Sequence, residues 1–163
     1  DLILDRCGIP RSPATAAALA ELKRFHDVEN TWDVVPADVG PALERLRASG
    51  MRRIVVSNTN GTLRRLFDRV GLTALIDGLI DSTEEGVEKP DPRIFRVALE
   101  RFAADPHSTI HCGDLYEIDI VGARAAGLPA VLLDPSGIYP DLDCPRVSSL
   151  GEFAERLVGG EFD

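Results

Sequence analysis

Cysteine is scarce here: Cys7, Cys112 and Cys144 are odd in number and share no spacing. That excludes a zinc-ligand pattern and a disulfide framework, and makes a reducing compartment, the cytoplasm, the expected location. Cys112 lies in an apolar run and reads as a small buried hydrophobe. No apolar stretch approaches the length of a membrane span and no signal peptide is visible, so no membrane partner is expected. A surplus of positive charge is missing too. The formal net charge of −9 argues against a nucleic-acid or membrane surface, since both need clustered Lys and Arg. An acidic protein that binds an anion must gather positive charge, or a metal ion, at the site itself. Internal repeats and low-complexity stretches are absent. The chain opens on Asp1 rather than Met, and further polypeptide upstream is expected.

What is present is ordinary in amount. A length of 163 residues suits one compact domain with a small appendage, and 44% hydrophobic with 28% charged residues is a soluble globular composition. Five stretches carry helical apolar spacing: Val39/Ala42/Leu43/Leu46, Leu63/Leu66/Phe67/Val70, Phe95/Ala98/Leu99/Phe102, Ile118/Val121/Gly122/Ala125 and Leu150/Phe153/Ala154/Leu157. Between them lie the β-prone runs Ile54-Val55-Val56, Leu79-Ile80, Thr109-Ile110-His111-Cys112 and Ala130-Val131-Leu132-Leu133. Short runs without alternation, separated by helices, are what a parallel sheet covered on both faces requires. The expected fold is α/β, a Rossmann-like doubly wound parallel sheet. Strands near 53–57, 109–113 and 129–133 should then be neighbours in one sheet.

Local chemistry marks the helix ends. Asp91-Pro92 reads as an N-cap with proline at the first helical position. Ser149-Leu150-Gly151-Glu152 has the form of a capping box, and Gly50, Gly71 and Gly127 sit where helices should stop. The first 34 residues differ. An Ala-rich helix from about Pro13 to His26 leads into Asn30-Thr31-Trp32 with no strand of its own. Residues 1–34 are expected to be an accessory helical piece and residues 35–163 the α/β core.

Three polar features follow predicted strands. Ser57-Asn58 comes directly after Ile54-Val55-Val56, where a hydroxyl and nearby backbone N–H groups can hold a phosphate oxygen. Taken alone it reads equally as a turn or cap. Lys89, in Gly86-Val87-Glu88-Lys89-Pro90-Asp91-Pro92, is a compact positive charge for a phosphoryl group or an aspartate, or else a solvated loop lysine. Gly113-Asp114-Leu115-Tyr116-Glu117-Ile118-Asp119 follows the run ending at Cys112. Its loop can bring Asp114 and Asp119 to one side, where a hard cation such as Mg²⁺ would join them directly or through water. Helix capping by acidic residues is the plainer alternative. Glycine before Asp114 allows the close approach of backbone or ligand.

All three lie at the carboxyl ends of strands, the face on which open α/β sheets bind ligands. In this order and spacing, from about Trp32 to Pro135, the chain resembles the haloacid dehalogenase-like hydrolases. Val55-Val56-Ser57-Asn58 resembles the family's second motif, whose hydroxyl binds the transferred phosphoryl group. Lys89 in Glu88-Lys89-Pro90-Asp91-Pro92 resembles the third, and Asp114 through Asp119 with Gly122-Ala123-Arg124-Ala125-Ala126-Gly127 the fourth, which supplies Mg²⁺ ligands. Ala14 to Trp32 is similar to the end of the helical cap found in many members.

The resemblance implies catalysis by Ser57, Lys89 and Asp114, substrate contacts from Ser57, Asn58 and Lys89, and Mg²⁺ held by Asp114 and Asp119. It implies a phosphatase acting on a small phosphorylated metabolite through an aspartyl-phosphate, rather than a metal-free dehalogenase. A phosphorelay receiver domain uses similar residues, but with the acidic pair first and the lysine last, the reverse of this chain.

The family's first motif, an apolar strand ending in Asp-x-Asp, has one candidate: Leu2-Ile3-Leu4-Asp5-Arg6-Cys7-Gly8, with cysteine where the second aspartate belongs. The preferred reading makes residues 1–34 a cap remnant with the nucleophilic strand upstream. A missing N-terminal segment, or a homo-oligomer, would then complete the sheet. The alternatives are a capless phosphatase using Asp5, or a non-catalytic phosphate-binding regulatory homologue.

Overall fold

The computed structural model describes residues 2–28, 34–139 and 142–162. They form two compact units, residues 1–34 and 35–163. Asn30-Thr31-Trp32 lies outside the described residues.

The first unit carries helices α1 (Leu2–Arg6) and α2 (Pro13–Val28). Ser12 starts α2, its Oγ accepting the Thr15 N–H at 3.1 Å. The strand reading of Leu2-Ile3-Leu4-Asp5 is overturned, because this stretch is helical. The Gly8 N–H donates to the Asp5 carbonyl and the Ile9 N–H to the Leu4 carbonyl. Gly8 takes a φ of 67° there, the left-handed position that closes a helix. Asp5 therefore tops no strand. Its carboxylate makes an exposed pair with Arg11 at 2.6 Å.

The second unit alternates strand and helix. In order come α3 (Val39–Ala48), β1 (Ile54–Ser57), α4 (Leu63–Arg69), β2 (Gly78–Asp81), α5 (Ser82–Glu85) and α6 (Pro92–Arg101). Then follow β3 (His111–Gly113), α7 (Val121–Ala125), β4 (Ala130–Leu133), β5 (Arg146–Val147) and α8 (Leu150–Val158). The helix starts rest on the expected chemistry. The Asp91 carboxylate accepts the Arg93 N–H at 2.9 Å with Pro92 in the first turn, and Ser149 Oγ accepts the Glu152 N–H at 3.1 Å. The return bond of the capping box lands one residue early, since Glu152 Oε2 takes the Ser148 N–H at 2.8 Å. Gly50, Gly71 and Gly127 all take positive φ. Among the described residues no helix is long and apolar enough to cross a membrane.

Every described strand pairing is parallel, as a doubly wound α/β fold requires, but the single continuous sheet is not found. β1 pairs with β2, matching Ile54 to Gly78 and Ser57 to Asp81. β3 pairs with β4, and β4 with β5. The strands thus form a two-stranded and a three-stranded sheet, with no ladder between β1 and β3. A common core spans both. Ile80, Ile94, Phe95, Ile120, Ala123, Leu128, Ala130 and Leu132 are buried together, and Ile54 and Val56 of β1 pack on the same cluster. Helix α6 supplies Ile94 and Phe95 to it, each close to fully buried. Burial of side chains this size stabilises by about 1.5–3 kcal/mol each. Apolar packing therefore joins the two sheets where backbone hydrogen bonds do not.

Candidate functional site

Ser57 ends β1, and the chain turns at once into Asn58-Thr59-Asn60-Gly61-Thr62. That turn is held from behind by the end of β2. Asp81, 2% exposed, accepts N–H groups from Gly61, Leu63 and Thr83. Ser82 Oγ accepts the Thr59 N–H at 3.1 Å. A buried carboxylate without such donors would be costly, so Asp81 fixes the loop as firmly as the loop satisfies Asp81.

Asn58 reaches across to the lysine loop. Its Nδ2–H donates to the Lys89 carbonyl and its Oδ1 accepts the Lys89 N–H, both at 2.8 Å. The lysine side chain then runs inward, and Nζ donates to Asp119 Oδ1 at 2.6 Å. Both partners are secluded, with side chains 12% and 2% exposed.

Asp119 is where the elements converge. Oδ1 also takes the ring Nε2 of His111 at 3.1 Å, and Oδ2 takes the Leu115 N–H at 3.0 Å. Burial pushes this carboxyl up. The His111 hydrogen bond, the charge and hydrogen bond of Lys89, and the Leu115 N–H outweigh it and hold the group well below the ordinary carboxylate range. A carboxylate oxygen only accepts, so in this contact the His111 ring nitrogen is the donor. The ring is also fixed edge-on to Phe95, centroids 5.0 Å apart.

The expected helix over Ile118–Ala125 is not uniform. Tyr116–Ile120 forms one wide π turn before α7 begins at Val121. Widened turns of this kind occur where a side chain must be re-aimed, and here the turn brings Asp119 back over Gly113. A Cβ on Gly113 would stand 2.3 Å from Asp119 Cγ. The close approach read from the sequence is thus made by a carboxylate of the same loop. Gly122 serves a related purpose, since a Cβ there would come within 2.9 Å of the Pro90 carbonyl, so α7 packs directly on the lysine loop.

Gly113→Ala is accordingly expected to displace Asp119 and to destabilise the fold by about 1–3 kcal/mol, the usual cost of overpacking. Urea unfolding measures the loss. A stability equal to the parent would mean Asp119 moves aside freely, and that its three partners hold it weakly.

Asp114, at the tip of β3, is exposed. Among the described residues its side chain makes no hydrogen bond or ion pair, so its carboxylate oxygens are open to a ligand. Ser57, Asn58, Lys89 and Asp119 form one connected set, and the ends of β1 and β3 therefore open toward the same lysine. Among the described residues no group of three or more His, Cys, Asp or Glu side chains is arranged to hold a metal. Asp119 already accepts on both oxygens, which leaves Asp114 as the uncommitted hard donor. One carboxylate does not hold Mg²⁺ alone. Sites for this ion commonly use one or two carboxylates completed by waters and a substrate phosphate. Cys112 takes no part: burial, then the charges of Asp119 and Asp114, push its thiol up to about 12, so it stays protonated.

Sequence reasoning missed His111, Asp81 and Ser82. His111 had a visible signal, a titratable residue inside an otherwise apolar strand, two positions from Gly113 and so on the same face. Asp81 and Ser82 end a strand, where acidic and hydroxyl residues are too common to stand out.

The model of the haloacid dehalogenase-like hydrolases matches residues 8–127. The haloacid dehalogenase-like hydrolase domain-containing protein 3 of Bos taurus is 33% identical over 128 residues, 78% of this chain and 51% of that protein. The glyceraldehyde 3-phosphate phosphatase of Methanopyrus kandleri is 33% identical over 149 residues, 90% of this chain and 61% of that protein. This chain thus spans less than two thirds of either curated relative. The crystal structure of 2-haloacid dehalogenase from Pseudomonas syringae pv. Tomato DC3000 aligns with a TM-score of 0.72 at 28% identity, covering 96% of this chain and 66% of that one. With the family model spanning most of the sequence and relatives a third identical across it, the chain belongs to the haloacid dehalogenase-like hydrolases.

Proposed function

We propose that this chain is the phosphate-binding core of a phosphomonoester hydrolase acting on a small phosphorylated metabolite. The observation that carries it is the secluded lysine, held by Asp119 at its ammonium and at its backbone by Asn58, the residue directly after the serine that ends a parallel strand. Relatives with phosphatase activity in their names support the same choice.

In this reading Ser57 Oγ–H donates to a non-bridging phosphoryl oxygen, with the Asn58 backbone N–H beside it. The Lys89 ammonium offsets charge as it gathers around phosphorus. Asp119 keeps that ammonium charged and aimed. The nucleophile is an aspartate on a further strand, one that neither of these two sheets contains. It attacks phosphorus, the alcohol leaves, and water then releases phosphate from the aspartyl-phosphate. Asp114 is the residue that would hold Mg²⁺, and Asp119 would reach it only through water. When bound, the ion would supply positive charge to polarise the phosphoryl oxygens. Residues 1–34 are read as the remnant of a helical cap, and residues 35–163 as the core.

The test is release of inorganic phosphate from a panel of triose, pentose and hexose phosphates by the protein that carries this chain, with and without Mg²⁺. Asp114→Asn in that protein is expected to remove the Mg²⁺-dependent rate, because a neutral amide replaces a charged hard donor. Undiminished Mg²⁺ dependence would move the ligand elsewhere. Halide release from 2-haloacids, without phosphate release, would replace the phosphatase reading with dehalogenation.

A further inference from the structure

We propose that the Asn58 side chain is a positioning residue for Lys89, fixing the lysine's backbone while Asp119 fixes its charge. The proposal rests on the phosphatase reading only for what the lysine is positioned to meet.

The geometry is specific. An amide side chain offers a donor and an acceptor side by side, and those of Asn58 meet the acceptor and donor of one residue, Lys89, at 2.8 Å each. The pairing copies a rung of a β-ladder, although Asn58 is exposed and sits 31 residues away in sequence. Among the described residues no main-chain group does this for Lys89. The loop's nearest main-chain tie runs from the Asp91 N–H to the Glu88 carbonyl. Ser57 precedes Asn58 directly, so the clamp joins the chain segment bearing the phosphate-facing hydroxyl to the one bearing the ammonium.

Asp119 alone would not achieve this. A lysine has a four-carbon stem with several rotatable bonds, and an ammonium anchored only at its tip leaves the backbone free to swing. Anchoring both ends leaves the stem one path. Asn58 thus serves a phosphate ligand through its backbone N–H and through the lysine, while its amide is occupied with Lys89.

Lys23 and Lys89 are the two lysines of the chain, which supplies a direct readout. The purified protein is treated with a limiting amount of acetic anhydride at fixed pH. Acetylation of the Lys89 peptide is then compared with that of the Lys23 peptide by mass spectrometry. Lys23 lies on α2 in the other unit and serves as the internal reference. Asn58→Ala is expected to raise the ratio of Lys89 to Lys23 acetylation roughly tenfold, as losing two ordinary hydrogen bonds would.

If the alanine variant does not fold, the isosteric Asn58→Asp reads the same effect. Its carboxylate still accepts the Lys89 N–H but faces the Lys89 carbonyl with no proton to donate. Ser82→Ala is the control. It loosens the same turn at Thr59 while leaving the clamp whole, and the ratio should stay at the parent value. An unchanged ratio in a folded Asn58 variant would overturn the proposal. So would an equal rise in Ser82→Ala, since general loosening would then explain it. Turnover plays no part in this readout, so it stands or falls separately from the identity of the substrate.

Discussion

Replacing Lys89 with methionine is expected to lower the unfolding free energy by about 3 kcal/mol at neutral pH, the lower end of the range for removing one partner of a buried pair. Methionine keeps most of the stem's packing and removes the charge. Asp119 is 2% exposed and would remain ionised with His111 and the Leu115 N–H as its donors. Those two partners set the effect at the lower end of the range. The pH dependence gives the sharper signature. In the parent, the folded-state pKa of Asp119 is depressed below its unfolded value. Its contribution is therefore fully present above the unfolded value of about 4, and is lost as pH falls through the folded one. In the variant, burial is opposed by fewer partners and the folded pKa rises. The variant's deficit should be widest at pH 7 and should narrow as pH falls through the variant's raised folded pKa toward the parent's depressed one. Urea unfolding of both proteins at pH 7 and pH 3 measures it. An equal deficit at both would assign the effect to the lysine stem, and the ion pair would contribute nothing net.

How far the site was legible in the sequence depends on the range of the contacts. The strands at Ile54–Ser57 and Ala130–Leu133 and the helices at Val39–Ala48, Pro92–Arg101 and Leu150–Val158 are set by local apolar spacing and by neighbouring caps. These are visible within ten residues. The run Thr109–Cys112 was placed slightly early. The paired strand starts at His111, whose N–H meets the Pro129 carbonyl, and a register of that kind is chosen by the partner strand. The π turn at Tyr116–Ile120 interrupts a good helical period because Asp119 must face Lys89, some 30 positions away in sequence. Periodicity carries no record of that demand. Asn58 illustrates the same limit. Ser-Asn-Thr-Asn-Gly is sound turn composition, and only the fold shows that its first asparagine is engaged by another loop. The division into two sheets is least legible of all, because strand order is settled by pairings that no short window contains.

The chain of residues 1–163 by itself is expected to show no phosphatase turnover above background on an aryl phosphate, even with Mg²⁺ in excess. Among the described residues the Lys89 ammonium meets one carboxylate, Asp119, and that group accepts three hydrogen bonds and is no free nucleophile. In the proposed two-step route no aspartyl-phosphate forms without an aspartate opposite the leaving group, so that route would be closed. Losing a covalent nucleophile commonly costs about 10⁴-fold or more, while the electrostatic parts of a site keep some binding. Ser57 and Lys89 should therefore still bind inorganic phosphate weakly. Asp5 does not fill the gap, since it sits on a helix and is paired at the surface with Arg11. Three proteins decide the matter: the chain, its Asp5→Asn variant, and the chain extended at its start with an apolar strand ending in Asp-x-Asp. The first two should be equally inactive and the third should turn over. Activity in the chain that vanishes on Asp5→Asn would make Asp5 the nucleophile after all and would require the first helix to refold into a strand. A third protein as silent as the others, though folded, would mean that the added strand completes no catalytic site, leaving a domain that binds phosphate without cleaving its esters.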